Sequence, residues 1–370
     1  MKIAYYSYDH VANPYCGGGG ALRDLIIHRQ MAGRHKIHFY CGKFKGCRNY
    51  SEEGLRFTFL GWTRNYLISR ITYSFLATIH SFFVKADIIV ICFSIFSPVM
   101  GFLLRRNRCI VEIFHLANHE PFRKYSIFGT FPFLFEKCVL LFSKRVICIN
   151  KSVTEQIVHD YRNKEVFTVY TGFDQSLLSE NTGDDRYLLY LGRIDIHMKG
   201  LDLLIDAFER ITAVFPDYRL IMAGRGSLRD VGWLRKRMME SPVHEKIFFR
   251  EYVSDSEKKV LFRRATIVCI PSRFEGWCIA AIEAAASSKA TIGTRIVGLS
   301  ESIIENETGL LIPPGDSTAL TGAIMRLLSD LALRERLGKN GNAWSRNFMW
   351  DNIVQSQEAC YLSFAKKRGG

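Results

Sequence analysis

Three hundred and seventy residues are too many for one comfortable domain and suit two of roughly 150–200 residues each. A hydrophobic fraction of 48% with 23% charged residues excludes a disordered or fibrous chain. The 50 Lys+Arg against 36 Asp+Glu leave a formal net charge of +14, which points toward an anionic partner: nucleic acid, a membrane surface or a phosphorylated small molecule.

In chain order, Met1-Lys2-Ile3-Ala4-Tyr5-Tyr6 lacks the long uncharged core of a signal peptide and reads as a buried strand, Lys2–Tyr6. Cys16-Gly17-Gly18-Gly19-Gly20-Ala21-Leu22-Arg23 follows as a glycine-rich loop opening a helix, where backbone can approach a ligand and the helix N-terminus offers unpaired N–H groups. It lacks the G-x-G-x-x-G spacing of a dinucleotide site. Further strands are expected at Ile37–Tyr40, Ile88–Cys92, Cys109–Phe114 and Arg145–Ile149. The apolar run Ile88–Leu104 reads as a strand, a loop and a buried helix rather than a membrane span, because Pro98 interrupts it and Ser94, Ser97 and Gly101 punctuate it. Past the fourth strand, Ile113-Phe114-His115-Leu116-Ala117-Asn118-His119-Glu120 carries two histidines. They stand at i, i+4, a metal-ligand spacing with no evident third ligand.

The strand series restarts beyond the polar stretch Ser179–Arg186 at Tyr187–Leu191, Tyr218–Ala223, Lys246–Phe249, Thr266–Ile270 and Thr291–Gly293, with helices such as Leu201–Phe215 and Ser317–Leu328 between strands. The expected fold class is α/β, with domains at 1–178 and 187–342 and a helical segment, 343–370. Residues 1–180 hold 23 Lys+Arg against 13 Asp+Glu, leaving 27 against 23 for the rest, so most of the surplus lies in the first half. That half is also rich in aromatics, as in Phe122-Arg123-Lys124-Tyr125 and Phe131-Pro132-Phe133-Leu134-Phe135, a composition that suits a membrane surface. The ten cysteines form no C-x-x-C pair and several sit in apolar runs, which fits reduced thiols in a cytosolic compartment.

Two constellations in the second half carry chemistry. Tyr190-Leu191-Gly192-Arg193, with Asp195, His197, Lys199 and Gly200, brings a strand end to a helix start, where Arg193 and Lys199 could bracket a diphosphate. Pro271-Ser272-Arg273-Phe274-Glu275-Gly276-Trp277-Cys278-Ile279 leads into Ala280-Ala281-Ile282-Glu283-Ala284, placing Glu275 before a helix and Glu283 about two turns inside it. A carboxylate inside so tightly packing a helix needs a partner, and sugar hydroxyls are suitable donors.

The run from Ser272 through Glu283 resembles the E-x7-E signature of the family-4 group of retaining glycosyltransferases, two-domain GT-B enzymes that use nucleotide-activated sugars. Further matches stand in that family's order: Gly17–Gly20, Tyr190-Leu191-Gly192-Arg193 with Lys199-Gly200, Met222-Ala223-Gly224-Arg225-Gly226, Tyr252-Val253-Ser254-Asp255, and Asn306-Glu307-Thr308-Gly309-Leu310-Leu311. The resemblance covers roughly residues 1–345.

It implies two Rossmann-like domains facing each other across a cleft, the segment 343–370 packing back toward the first domain, and transfer of a hexose-like sugar with retention. Arg193 and Lys199 would hold the donor diphosphate, Glu275 the transferred sugar, the amides of Gly276, Trp277, Cys278 and Ile279 would assist, and Glu283 would bond the ribose. Gly18 and Gly19 would approach from the first domain, which should also supply a histidine; His115, just past a strand, is favoured over His119. Cys278 stands where many relatives have glycine, and Arg225-Gly226-Ser227 replaces a more acidic version, which leaves base recognition open. No D-x-D occurs, consistent with a nucleoside-diphosphate sugar donor and no metal cofactor. The expected acceptor is a lipid-linked saccharide at the cytoplasmic membrane face, as in surface-polysaccharide or lipopolysaccharide assembly. A soluble acceptor and a nucleotide-sugar epimerase of the same fold are the alternatives. Nucleic acid is not expected as a partner, since no nucleic-acid motif is present.

Overall fold

The computed structural model describes residues 1–14, 18–63, 65–94, 108–114, 116, 130–179 and 183–366. The chain divides into two units, Met1–Thr171 with Trp350–Gly370, and Gly172–Met349. Each is an α/β layer structure on a largely parallel sheet, the Rossmann-like architecture of the GT-B fold.

In the first unit β1 (Lys2–Ser7), β2 (Lys36–Gly42), β3 (Tyr50–Glu52), β4 (Leu55–Leu60), β5 (Ile88–Cys92), β6 (Cys109–Ile113), β7 (Arg145–Cys148) and β8 (Glu165–Thr168) form one sheet. Its order is β3-β4-β2-β1-β5-β6-β7-β8. Only β3 runs antiparallel, on β4. The central strands read as unbroken apolar runs because helices cover both faces; Ile88–Ile91 is buried throughout. On one face lie α1 (Gly18–Met31) and the terminal helix Trp350–Lys366, with Ile27, Met31, Tyr361 and Phe364 in one core with Tyr5 and Phe39. On the other lie α2 (Tyr66–Phe83) and the helices Thr130–Phe142 and Lys151–Asp160.

The second unit carries β9 (Tyr187–Leu191), β10 (Arg219–Ala223), β11 (Ile247–Arg250), β12 (Ile267–Ile270), β13 (Thr291–Thr294) and β14 (Gly309–Ile312) in the order β11-β10-β9-β12-β13-β14. All its pairings are parallel. The helix Leu201–Ile211 buries Leu201, Leu204, Ile205, Phe208 and Ile211 against this sheet, a 3.6-residue stripe facing the core.

The boundaries differ from the sequence expectation. The first unit ends at Thr171 rather than 178, because Asp174 caps a short 3-10 turn, Gln175–Leu177, whose Leu177 is fully buried and whose carbonyl accepts from Ser287 Oγ. The expected helical segment 343–370 is two pieces. Residues 343–345 finish the helix Leu331–Ser345, and Phe348 is buried beside Trp277 and Trp344 in the second unit. Met349 is extended, and Trp350 starts the helix of the first unit. The strands β3, β4 and β8 were not anticipated. Leu55-Arg56-Phe57-Thr58-Phe59-Leu60 alternates inward and outward as a strand should. Of the run Ile88–Leu104, β5 is found where expected, and residues 95–107 lie outside the described residues. Every cysteine among the described residues is free. Among those residues no helix is long and apolar enough to cross a membrane.

The first unit is tied together by a buried polar network. Arg23, on α1, donates to Glu112 Oε1 of β6 at 2.7 Å, to Asp24 Oδ1 at 3.0 Å, and to the carbonyls of Val169 and Tyr170. Tyr5 donates to Glu112 Oε2 at 2.6 Å. His28 Nδ1–H donates to the Asp24 carbonyl at 2.7 Å, and its Nε2 accepts from Tyr361 at 3.1 Å, so the ring is held neutral. Burial lowers the His28 pKa to about 4. A histidine depressed in the folded state stabilises fully above its unfolded pKa and loses that contribution as pH falls through its folded one. Between pH 6.5 and 4 the protein is therefore expected to lose about 3 kcal/mol through this ring. Thermal melts against pH check it: the difference in Tm between wild type and His28→Gln should narrow over that window, and a constant difference would refute it.

Candidate active site

In the second unit, the backbone between β9 and the next helix places the first cation. Asp195 caps the short helix Ile196–Lys199 by accepting from the Met198 amide. Gly200 then takes φ +63°, and a Cβ there would lie 2.1 Å from the Pro271 carbonyl oxygen. Only glycine permits both the left-handed backbone and that approach, which brings Lys199 to the carboxyl end of β12. Gly224 does the same for the neighbouring loop. At φ +145° its Cβ would meet the Gly192 carbonyl at 1.7 Å, and Ile194 bridges to Gly226.

The result is a compact polar centre. Lys199 Nζ donates to Glu275 Oε1 at 2.5 Å, and Ser272 Oγ donates to the same oxygen at 2.9 Å. Both charged side chains are nearly enclosed, at 13% and 12% exposure, so the pair is only weakly screened. Arg273, beside them in sequence, turns away to a two-pronged pair with Asp202 and bonds the His197 carbonyl, buttressing the helix that carries Lys199.

Just past Glu275 the chain enters the helix Ile279–Ala286. Its N-cap is Cys278, whose side chain makes no capping bond; in the first turn the Ala281 amide donates to the Cys278 carbonyl at 3.2 Å. Cys278 has φ −100°, an ordinary backbone that needs no glycine. Its thiol is buried, and burial with the nearby Glu275 raises its pKa far above the usual thiol range. Trp277 is buried against Phe348. Glu283 is buried inside the helix, and it is paired with Lys258 of the helix Asp255–Arg264, whose Nζ lies 2.7 Å from Oε1. Burial raises the Glu283 pKa, with Lys258 opposing; on Lys258, burial opposes and Glu283 raises.

The structure thus brings Lys199, Glu275 and the Gly276–Ile279 turn together. Arg193 is not drawn in: its guanidinium is 65% exposed, 3.9 Å from Asp195, while its carbonyl accepts from Tyr190. In the first unit, Gly18 and Gly19 are the opening residues of α1 rather than a preceding loop. A Cβ at Gly19 would meet nothing within 4 Å. His115 and His119 lie outside the described residues. Two participants escaped the sequence reading: Ser272 as a second donor to Glu275, although it stands in the motif, and Lys258, which no local pattern marks. Arg225 lies over the exposed Tyr252 ring, 4.7 Å from its centroid, at the carboxyl ends of β10 and β11. Among the described residues no three His, Cys, Asp or Glu side chains cluster as metal ligands.

Comparison with known proteins agrees with this architecture. Residues 175–344 match the family "Glycosyl transferases group 1". An uncharacterized glycosyltransferase of Methanocaldococcus jannaschii is 29% identical over 265 residues, 71% of each chain. A phosphatidyl-myo-inositol mannosyltransferase of Mycobacterium leprae is 32% identical over 171 residues, 46% of this chain and 44% of that one. Among solved structures, sucrose-phosphate synthase from Thermosynechococcus elongatus superposes with TM-score 0.81 at 20% identity, over 98% of both chains. Anabaena HepE in complex with UDP-glucose superposes with TM-score 0.74 at 16% identity, over 98% of this chain and 99% of that one. Residues 175–344 are thus similar to the glycosyl transferases group 1 family, and the chain has the GT-B fold of glycosyltransferases.

Proposed function

We propose that this glycosyltransferase moves a hexose-like sugar from a nucleoside-diphosphate sugar to a lipid-linked saccharide in surface-polysaccharide or lipopolysaccharide assembly, with retention at the anomeric carbon. The observation that carries the donor half is Lys199 bonded to Glu275 beside the N-terminus of the helix Ile279–Ala286. Breaking a sugar–diphosphate bond places negative charge on the departing phosphate. A lysine and a helix N-terminus are groups that stabilise such charge, and held in place beforehand they need no reorganisation. On this reading they do the task that a divalent ion performs elsewhere, and the exposed Arg193 closes on the diphosphate.

Glu275 would accept from sugar hydroxyls, a role supported by Ser272 and Lys199, which both donate to its Oε1 and hold the carboxylate in one orientation. Glu283, held by Lys258, would accept from the ribose. The first unit would supply Gly18 and Gly19 and the histidine His115. The lipid-linked acceptor is supported by the cationic surplus of residues 1–180 and by the mannosyltransferase relative, whose name specifies a phosphatidyl-inositol substrate.

Thermal-shift titration with uridine, guanosine and adenosine diphosphate sugars tests the donor half. One of them at a hundred times its dissociation constant should stabilise the protein by about 2.7 kcal/mol, a rise in Tm of several degrees. Lys199→Ala should remove the shift. A flat response to all three would overturn the reading.

A further inference from the structure

A helix lying on a sheet normally turns its large apolar residues inward. α2 does the reverse. Its buried stripe is Ser69, Tyr73, Ala77 and Ser81, mostly small or polar. Its outer stripe is Leu67, Ile71, Phe75, Ile79 and Phe83, spaced by four residues and therefore aligned on one side; Phe75 is 66% and Phe83 75% exposed. At 1.5 Å per residue the stripe runs about 24 Å. Trp62, 67% exposed, and Tyr66 stand at its head. On the same side of the sheet, the helix Thr130–Phe142 exposes Leu134, Leu141 and Phe142. An apolar surface of this extent does not stay in water without a purpose.

The charge around it selects the occupant. From residue 54 to 86 the sequence has Arg56, Arg64, Arg70 and Lys85, with no aspartate or glutamate. The loop after β2 adds exposed Lys43, Lys45 and Arg48, and it is fastened to α2 where Ser69 Oγ donates to the Lys43 carbonyl at 2.6 Å. A second copy of the chain would bring this cationic rim, in which only Arg70 among the described cations just named lies beside a carboxylate, Asp9 at 3.8 Å, against itself. A bilayer with anionic headgroups meets both features at once, apolar side chains entering the acyl boundary and lysines the headgroup layer, with tryptophan and tyrosine at the level between.

We propose that α2 is the membrane-docking element of this protein, lying flat on an anionic lipid surface with Leu67, Ile71, Phe75, Ile79 and Phe83 immersed. The inference deepens the reading of a lipid-linked acceptor and rests on it: docking by α2 would hold the first unit at the surface where such an acceptor is anchored.

Co-sedimentation of the full chain with phosphatidylglycerol-containing vesicles, against pure phosphatidylcholine vesicles, tests it. Expected are binding to the anionic vesicles that weakens as salt rises, and a loss of at least tenfold in Phe75→Glu/Ile79→Glu. Since both side chains are exposed, that variant should keep the wild-type Tm and the donor-induced thermal shift. Lys43→Glu/Lys45→Glu should weaken binding severalfold and flatten its salt dependence. Vesicle binding unchanged in Phe75→Glu/Ile79→Glu would overturn the assignment. So would a wild-type dimer that this variant splits while neither form binds vesicles, since the face would then join two copies. Failure of the donor reading shows separately, as the absence of any donor-induced shift in the wild type.

Discussion

Replacing Lys199 with Ala is expected to lower turnover by about 10²–10³-fold, the usual cost of removing one preorganised group that meets developing charge. Glu275→Gln should fall in the same range. The two effects should not multiply, because Lys199 Nζ and Glu275 Oε1 are 2.5 Å apart and each variant disrupts the other's placement. The measurement is release of nucleoside diphosphate from the donor identified by thermal shift, in both single variants and the double variant. Near wild-type rates in both single variants would remove these residues from the site. Tm controls for folding, since the pair lies at a strand end and not in the core of the second unit.

Arg23→Met should be the most damaging single change in the first unit. Arg23 is 2% exposed and is the cation bonded to both Asp24 and Glu112. Removing one member of a buried charge cluster and stranding its partners costs about 3–5 kcal/mol. Asp24→Asn should be mild by contrast, within about 1 kcal/mol. Burial, with Glu112 adding to it, raises the Asp24 pKa despite Arg23, so holding an ionised carboxylate there costs free energy that a neutral Asn of the same shape does not. Urea unfolding followed by circular dichroism separates the two. An Arg23→Met midpoint equal to that of wild type would show that the network contributes little.

Much of the candidate site is legible in the sequence alone. Glu275, Glu283, Lys199 and the turn between Gly276 and Ile279 were named from local pattern, because a strand end, a special glycine and a helix start are written within a dozen residues of one another. Gly200 shows why that works: its left-handed backbone and its contact with the Pro271 carbonyl both require glycine, so the residue type is a direct record of geometry. Arg193 shows the limit. The motif names it, but an exposed side chain takes its position from what binds it.

By itself the sequence determined the class of fold, the alternation of buried strands and covering helices in both halves, and the candidate residues of the site. These depend on short-range periodicity and steric demands, which each segment carries alone. Tertiary structure decided the partners and the faces. Arg23 meets Glu112 from 89 residues away and Gln357 from 334, and Lys258 meets Glu283 across 25. It also decided that α2, apolar on nearly every side in sequence, buries its small and polar stripe and leaves its large one outside. No periodicity could show that, because which side of a helix faces the core depends on the sheet it lands on.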